Sequence, residues 1–430
     1  MSRTTRAADV VVVGAGVIGS AIALELARAG RQVLVVDKGP GAGFGSTSAS
    51  SAIIRFHYST FTGVAAAWEA GHLWTDWTAH LGHDEQPARF VRTGMLVLDS
   101  RPGPTTDLFD AVGVPWEAWD AEEIRSRVPG IDPGRFGPPA PVDSEEFFAD
   151  ARGRLAGTFT PDAGYVDDPR LAAENLATAA RHAGATFLLR HTVTALDGDG
   201  PRRWRLTLDG AAAGVVDADV VVNAAGPWSS SLNRLAGVDA DFRVSSRPLR
   251  QEVHELAAPG VGPVVAVADP DLGTYLRPHG AGRLVVGGME PECDPFEWLD
   301  DPDDADLRPT ARVFEAQALR AARRFPDLTV PRRPVGVAGV YDVSPDWTPI
   351  YDRVSTPGYY VAMGTSGNQF KNAPLVGQVM AHLVAEVEAG HDHDRDPLTF
   401  TAPRTGAVLD LRTWSRLRDV PPGAPTSVMG

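Results

Sequence analysis

Apolar residues fall into two rhythms along this chain of 430 residues. Val10 to Val13 run without a polar interruption, as in a parallel strand buried on both faces. Ile18, Ala21, Ile22, Leu26 and Ala29 then recur at helical spacing, and Gly30 supplies the stop. A second apolar run, "QVLVVD", closes on Asp37. Strand, tight turn, helix and strand in this order predict a βαβ unit of about 30 residues.

Further along, "AAWEAGHLWTDWTAHLG" has the pattern of an amphipathic helix, with Trp68, Trp74 and Trp77 as packing residues, and "RTGMLVLDS" that of a strand. Residues 101–150 are Pro-rich with short helical pieces. "PRLAAENLATAARHAGATFLLRHTVTALDG" predicts a helix followed by a strand, and "ADVVVNAAG", apolar throughout, a return to the parallel sheet. Between residues 245 and 335 the rhythm changes to alternation in "LRQEVHEL", "VVAVADP", "TYLRPHG" and "RLVVGGM", followed by the helix "ARVFEAQALRAARRF". "GYYVAMGTSGNQFKNAPLVGQVMAHLVAEVEAG" adds one more strand, a polar loop and a long helix. The pattern is that of an α/β protein: a parallel-sheet domain interleaved with a second, mostly antiparallel one.

Composition narrows the function. A net charge of -15 repels phosphate backbones and anionic lipid, which argues against nucleic acid or a membrane surface as partner. The one cysteine, Cys293, allows no intrachain disulfide and no multi-cysteine metal site, and fits a reducing cytoplasm. The first apolar run is broken by glycines and then by Glu25, so neither a secretory signal nor a membrane span is expected. "HDHD" at 391–394 follows a helix stop and is expected to be a solvated turn rather than a metal site.

Gly14, Gly16 and Gly19 fit G-x-G-x-x-G between a strand and a helix. Gly14 makes the turn, Gly16 admits a pyrophosphate to the backbone, and Gly19 lets helix pack on strand. The helix start offers free N–H groups and a positive dipole end. The Asp37 carboxylate is placed to bind ribose hydroxyls and to repel a 2′-phosphate. This unit alone serves NAD and FAD equally. "GTSGN" at 364–368 lacks the closing glycine of a nucleophile elbow, so a hydrolase is not supported.

Six segments, in order, resemble the FAD-dependent D-amino-acid oxidase superfamily, and within it the sarcosine oxidase and glycine oxidase relatives. They are "VVVGAGVIGSAIALELARAGRQVLVVDKG", "GSTSASSAIIRFHY", "AGYVDDPRLAAENLATAARHAGA", "VVNAAGPWS", "YDVSPDWTPIYD" and "GTSGNQFKNAP". The resemblance implies a Rossmann-like FAD-binding domain of the glutathione-reductase type over 8–55, 145–244 and 335–390. It implies a substrate-binding domain over 56–144 and 245–334, with a tail from 391 to 430 wrapping the surface. FAD is expected to contact Gly14, Gly16, Val17, Ile18 and Gly19 with its pyrophosphate, Asp37 and Lys38 with its adenosine ribose, and Val193 with its adenine. Gly45, Ser46 and Thr47 are expected to add phosphate contacts. Ser51, Ala52, Ile53, Ala225, Gly226 and Trp228 are expected near the flavin, with Gly364, Gly367, Asn368, Phe370 and Lys371 at its pyrimidine edge.

The resemblance also points to Arg55 and Lys371 as cations for a substrate carboxylate, to Tyr275 and Tyr341 as pocket walls, and to His57 as a candidate base. His279 and Met289 rank below these. Where monomeric sarcosine oxidases attach FAD through cysteine this chain has Gly339, and where related enzymes use histidine the nearest match is Ala49, so the FAD is expected to be non-covalent. A lysine that helps activate oxygen in the sarcosine oxidase pattern is here Val285. The implied reaction is oxidation of the C–N bond of a small amino acid or a secondary (N-methyl or cyclic) one, with oxygen or another acceptor. Alternatives are a D-amino acid or glycine oxidase, oxidation of a 2-hydroxy acid or glycerol phosphate, and a flavin subunit that needs a partner subunit for turnover.

Overall fold

The computed structural model describes residues 4–200, 202–260, 264–280, 282–424 and 427–429. Its first strand, β1 (Thr4–Val13), leads into helix α1 (Val17–Arg28) and strand β2 (Val33–Asp37). β1 lies parallel to β2 on one side and to Gly214–Asn223 on the other, with Val13 level with both Val36 and Asn223. The far edge of Gly214–Asn223 is shared. Arg203–Gly210 pairs antiparallel along its first half, and Tyr359–Met363 pairs parallel along its second. Val10 and Val12 pack among α1, the helices Pro169–His182 and Ala373–Glu388, and also the helix Phe61–Thr75. Val11 and Val13 pack on the other side with Trp204, Leu206 and Tyr359. The unbroken valine run thus follows from a strand covered on both faces.

A nine-stranded second sheet carries the alternating segments, centred on Arg247–Ala257 paired antiparallel to Arg283–Gly288 and to Gly336–Val343. It is antiparallel except where Ala266–Asp269 runs parallel to Met95–Leu98. The helix Ala311–Arg324 lays Phe314, Ala318 and Ala321 on Leu256, Leu276 and Val286. Two segments lie in a different sheet from the one their sequence ranges suggested. Gly157–Thr160 and Gly336–Val343 bond within this second sheet rather than the parallel one. Likewise Phe61–Thr75, numbered with the second domain, buries Val64, Ala67 and Trp74 in the first core. Apolar runs of this length suit either sheet, and only long-range pairing decides between them.

The late segment is more ordered than a surface wrap. Thr399–Thr401 and Val408–Asp410 form a hairpin, and Leu409, Leu411 and Trp414 are buried. Arg416, 1% exposed, binds Asp241, Asp352 and Asp394. His393 of the "HDHD" stretch is buried as well, accepting the Leu398 N–H at 3.0 Å and lying 3.6 Å from Asp352, while Asp392 and Asp394 stay exposed. Among the described residues, no helix is long and apolar enough to cross a membrane.

Two missing Cβ atoms set the helix layer. A Cβ at Gly19 would lie 2.0 Å from the Gly14 carbonyl oxygen, and one at Gly377 would lie 2.5 Å from that of Ala21. The obstacles are backbone atoms, which cannot swing aside. Gly377→Ala is therefore expected to destabilise the protein by about 1–3 kcal/mol. The denaturant midpoint should fall at an unchanged m-value.

Candidate active site

The parallel strands end together, so their following loops meet at one edge. Gly14 turns there with φ +112°, and a Cβ on it would sit 2.2 Å from the carbonyl oxygen of Ala224. The N-cap of α1 is Gly16, which has no side chain to cap it, and the first turn carries no acidic residue. Thr47 Oγ1 accepts the Val17 N–H at 3.1 Å. Asp37 accepts the Ala15 and Gly39 N–H groups at 2.6 Å each, which fixes its carboxylate at the end of β2. Lys38 lies 3.9 Å from the centre of the Trp228 ring and pairs with Asp303 at 2.5 Å. Trp228 Nε1 donates to the same carboxylate at 3.1 Å.

These groups line a cleft of about 680 Å³ that runs from Asp37 and Val193, past Gly14, Gly16 and Thr47, to Tyr341, Gly367 and Phe370. Val17, Ile18, Gly45, Ser46, Ser51, Ala225, Gly226 and Trp228 also line it. A helix start with no acidic residue in its first turn, above a glycine turn, fits a pyrophosphate. At the far end, Asp342 Oδ2 is buried without a partner among the described residues, and burial pushes the carboxyl up to about 6. A polar group of the cofactor ring suits that orphaned atom.

A smaller pocket adjoins this end and shares Ser51, Tyr341, Gly367 and Phe370 with the cleft. The loop before the helix Ala373–Glu388 forms its floor. Gly367 adopts φ +68°, and a Cβ there would meet the Tyr341 ring at 2.3 Å, so only glycine lets the loop pass beneath that tyrosine. Trp74 stacks on Phe370 and donates Nε1–H to the Lys371 carbonyl at 2.6 Å, so the helix Phe61–Thr75 holds the loop from below.

Lys371 is 2% exposed and Arg55 is 5% exposed. The Lys371 ammonium donates to the Asn368 carbonyl and lies 4.8 Å from the Tyr58 ring centre. Arg55 donates to the carbonyls of His57 and Val428. Among the described residues neither cation makes a salt bridge. Burial pulls both pKa values down, Lys371 well below the ordinary lysine range, with Arg55 adding to the effect on Lys371. Tyr275 and Tyr341 wall the pocket, and burial pushes the Tyr275 phenol up to about 12. A Cβ on Gly287 would touch the Tyr275 hydroxyl at 2.3 Å, so glycine again makes room for a ring.

Other expected site residues take different places. Neither ring nitrogen of His57 has a partner among the described residues. The ring packs edge-on against Phe109, and burial with Arg55 and Lys371 nearby drives its pKa to about 3. It lines neither cavity, and its surroundings disfavour the protonated form. Gly19 packs helix on strand, as the turn requires, and does not line the cleft. Ala52 sits at φ 53° with its carbonyl bonded to the Val166 N–H. Ile53, Asn368 and Lys371 line the smaller pocket rather than the cleft, and Gly364 turns the chain at φ +64°. Tyr58, Glu290, Asp303, Asp342, Val428 and Met429 escaped sequence reasoning. Nothing in "GGMEPE" or "PTSVMG" marks a site, and Tyr58 is seen only once the helix Phe61–Thr75 is folded back beneath the loop.

A nucleotide turn that hands its ligand on to a closed, cationic pocket is the plan of an FAD-dependent oxidoreductase. The chain belongs to the DAO family: the family model described as "FAD dependent oxidoreductase" matches residues 9–383. Sarcosine oxidase subunit beta from Arthrobacter sp is 27% identical over 411 residues, covering 94% of this chain and 92% of that one. Glycine oxidase from Geobacillus kaustophilus (strain HTA426) is 27% identical over 398 residues, covering 89% of this chain and 94% of its own. The crystal structure of glycine oxidase from Geobacillus kaustophilus superposes with a TM-score of 0.72 at 24% identity, covering 91% of this chain and 98% of that one. The protein is an enzyme, and its cofactor is FAD.

The depressed Lys371 pKa has a measurable consequence. Between the folded value and the ordinary 10.5, the unfolded chain binds a proton that the folded one does not, so stability rises with pH across that interval. Lys371→Met is expected to flatten that rise and to stabilise the protein by roughly 1–2 kcal/mol at neutral pH. Thermal melts over a pH series check both.

Proposed function

We propose that the enzyme oxidises the C–N bond of a small amino acid, with a secondary amine of the N-methyl or cyclic kind favoured. The observation that carries this reading is the pair of buried cations, Arg55 and Lys371, converging without a salt bridge where the cofactor cleft meets the smaller pocket. Unpaired buried guanidinium and ammonium groups are costly and suit an incoming carboxylate. The relatives named for sarcosine and glycine oxidation support the same substrate class. On this reading the parallel sheet holds the cofactor, and the second sheet supplies the walls Tyr275 and Tyr341.

Arg55 fixes the substrate carboxylate and so points the Cα–N bond toward the cleft. The rings of Tyr275 and Tyr341 exclude water. FAD, when bound, supplies the two-electron acceptor. Once the substrate ammonium has given a proton to solvent, the Cα–H bond would break with its electron pair passing as hydride to that acceptor, the nitrogen lone pair would form the C=N bond, and loss of a nitrogen-bound proton to solvent would give the imine.

FAD is held without a covalent bond on this reading. Gly339 and Ala49 face each other, and a Cβ on Gly339 would lie 2.7 Å from that of Ala49, so neither position offers a nucleophile or room for one. Acid precipitation should release all flavin into the supernatant, and yellow pellet protein would contradict the reading. Val285 is buried in the second sheet and carries no charge toward oxygen, which favours a second version of the reading, a dehydrogenase that passes electrons to another acceptor or partner subunit.

An anaerobic screen of amino acids, followed by flavin bleaching, tests the reaction without assuming the acceptor. At least one D-, N-methyl or cyclic amino acid, or glycine, should bleach the flavin. Arg55→Met should raise its half-saturating concentration about 100-fold. Bleaching by hydroxy acids alone would overturn the substrate class, and rapid reoxidation in air would decide for an oxidase.

A further inference from the structure

Val428 reaches into the smaller pocket and makes two polar contacts with its backbone. Its N–H donates to Glu290 Oε2 at 2.9 Å, and its carbonyl accepts from Arg55 Nη2. The nitrogen and carbonyl carbon of one residue are separated by a single Cα. An α-amino acid has the same spacing between its amine and its carboxyl carbon. The Val428 backbone therefore traces how such a molecule spans Glu290 and Arg55.

Glu290 is not an incidental neighbour. It follows the strand Arg283–Gly288 by two residues and adopts φ 52°, a conformation uncommon outside glycine. Arg55 favours its charged form and Asp294 opposes it, and its charge bears on Tyr275 and Tyr341. Its one hydrogen bond among the described residues comes from Val428. Burial pushes the carboxyl up to about 8, so it gains from a cationic neighbour.

We propose that Glu290 receives the amine of the substrate while Arg55 takes its carboxylate, and that the Val428 backbone holds these two places until substrate displaces it. This rests on the functional reading above and sharpens it. A carboxylate-binding cation alone accepts any small acid. A cation and a carboxylate one residue's length apart select a zwitterion, an α-amino acid with at least one N–H. Small acids without the amine bind as well as Arg55 alone allows.

The test uses the full-length holoenzyme with two ligands: propionate, read by its perturbation of the visible flavin spectrum, and the best amino acid from the anaerobic screen, read by its half-saturating concentration for bleaching. Glu290→Gln, at wild-type FAD content, should raise the amino acid concentration at least about tenfold and leave propionate within about twofold. Val428→Pro removes the N–H that Glu290 accepts and should lower both concentrations. An equal loss for both ligands in Glu290→Gln, or no loss for the amino acid, overturns the amine assignment. No change in Val428→Pro overturns the place-holding role. If no amino acid bleaches the wild-type flavin, the functional reading itself has failed and this assignment goes with it. If amino acids bleach it and Glu290→Gln does not discriminate, only this assignment has failed.

Discussion

Helix α1 is held between two close backbone contacts, and the geometry of the site depends on them. On one side Gly19 lets the helix press against the Gly14 carbonyl, and on the other Gly377 lets the helix Ala373–Glu388 press against Ala21. The first contact sets the nucleotide turn, and the second sets the helix that begins just after Lys371. Because both act on one rigid cylinder, the turn at Gly14–Gly16 and the loop at Gly364–Asn372 have a fixed relation, although more than 300 residues separate them in sequence. A dinucleotide laid on the turn is thereby aimed at the loop. Small residues at these crossings are geometric necessities, and a single methyl group at either one moves one end of the site relative to the other.

The pocket at the end of that line is built against stability. Among the described residues, Lys371 and Arg55 lose their hydration and hydrogen-bond only to carbonyl oxygens, with the face of Tyr58 beside both and the Glu290 carboxyl acting on Arg55 from beyond salt-bridge distance. Carbonyl dipoles compensate a buried charge incompletely. Buried arginines elsewhere are paired: Arg324 with Asp269 and Asp271 under the second sheet, and Arg416 with its acidic partners in the late segment. The contrast is functional. Those arginines are matched by carboxylates and are structural, whereas the two in the pocket are left for a ligand to match.

How much of this can be read from the sequence depends on how local the cause is. The valine run, the spacing of Gly14, Gly16 and Gly19, and Asp37 at the strand end are set by neighbours in the chain, and they stand in the structure where the pattern put them. Arg55, Lys371, Tyr275 and Tyr341 came from resemblance, and the fold gathers them around one pocket. What stayed hidden is what only tertiary contact creates. Gly336–Val343 has no local signal for its partner strand. His57 looks available until Phe109 and burial silence it. Glu290 and Val428 lie 138 residues apart, and each is unremarkable alone. Sequence periodicity describes faces of elements, not which elements meet.

Lys38, Asp303 and Trp228 form a bridge beside the cleft that joins the loop after β2 to a short turn, Pro302–Asp304, and sets Trp228 against Lys38, the residue expected at the ribose, rather than apart from it near the flavin. It is half in solvent, with Lys38 39% and Asp303 62% exposed. An exposed pair of this kind is worth about 0–1 kcal/mol. It is too weak to anchor a cofactor. Added salt weakens this crossing, while the glycine turn and the helix start, which rest on backbone contacts, are left as they are.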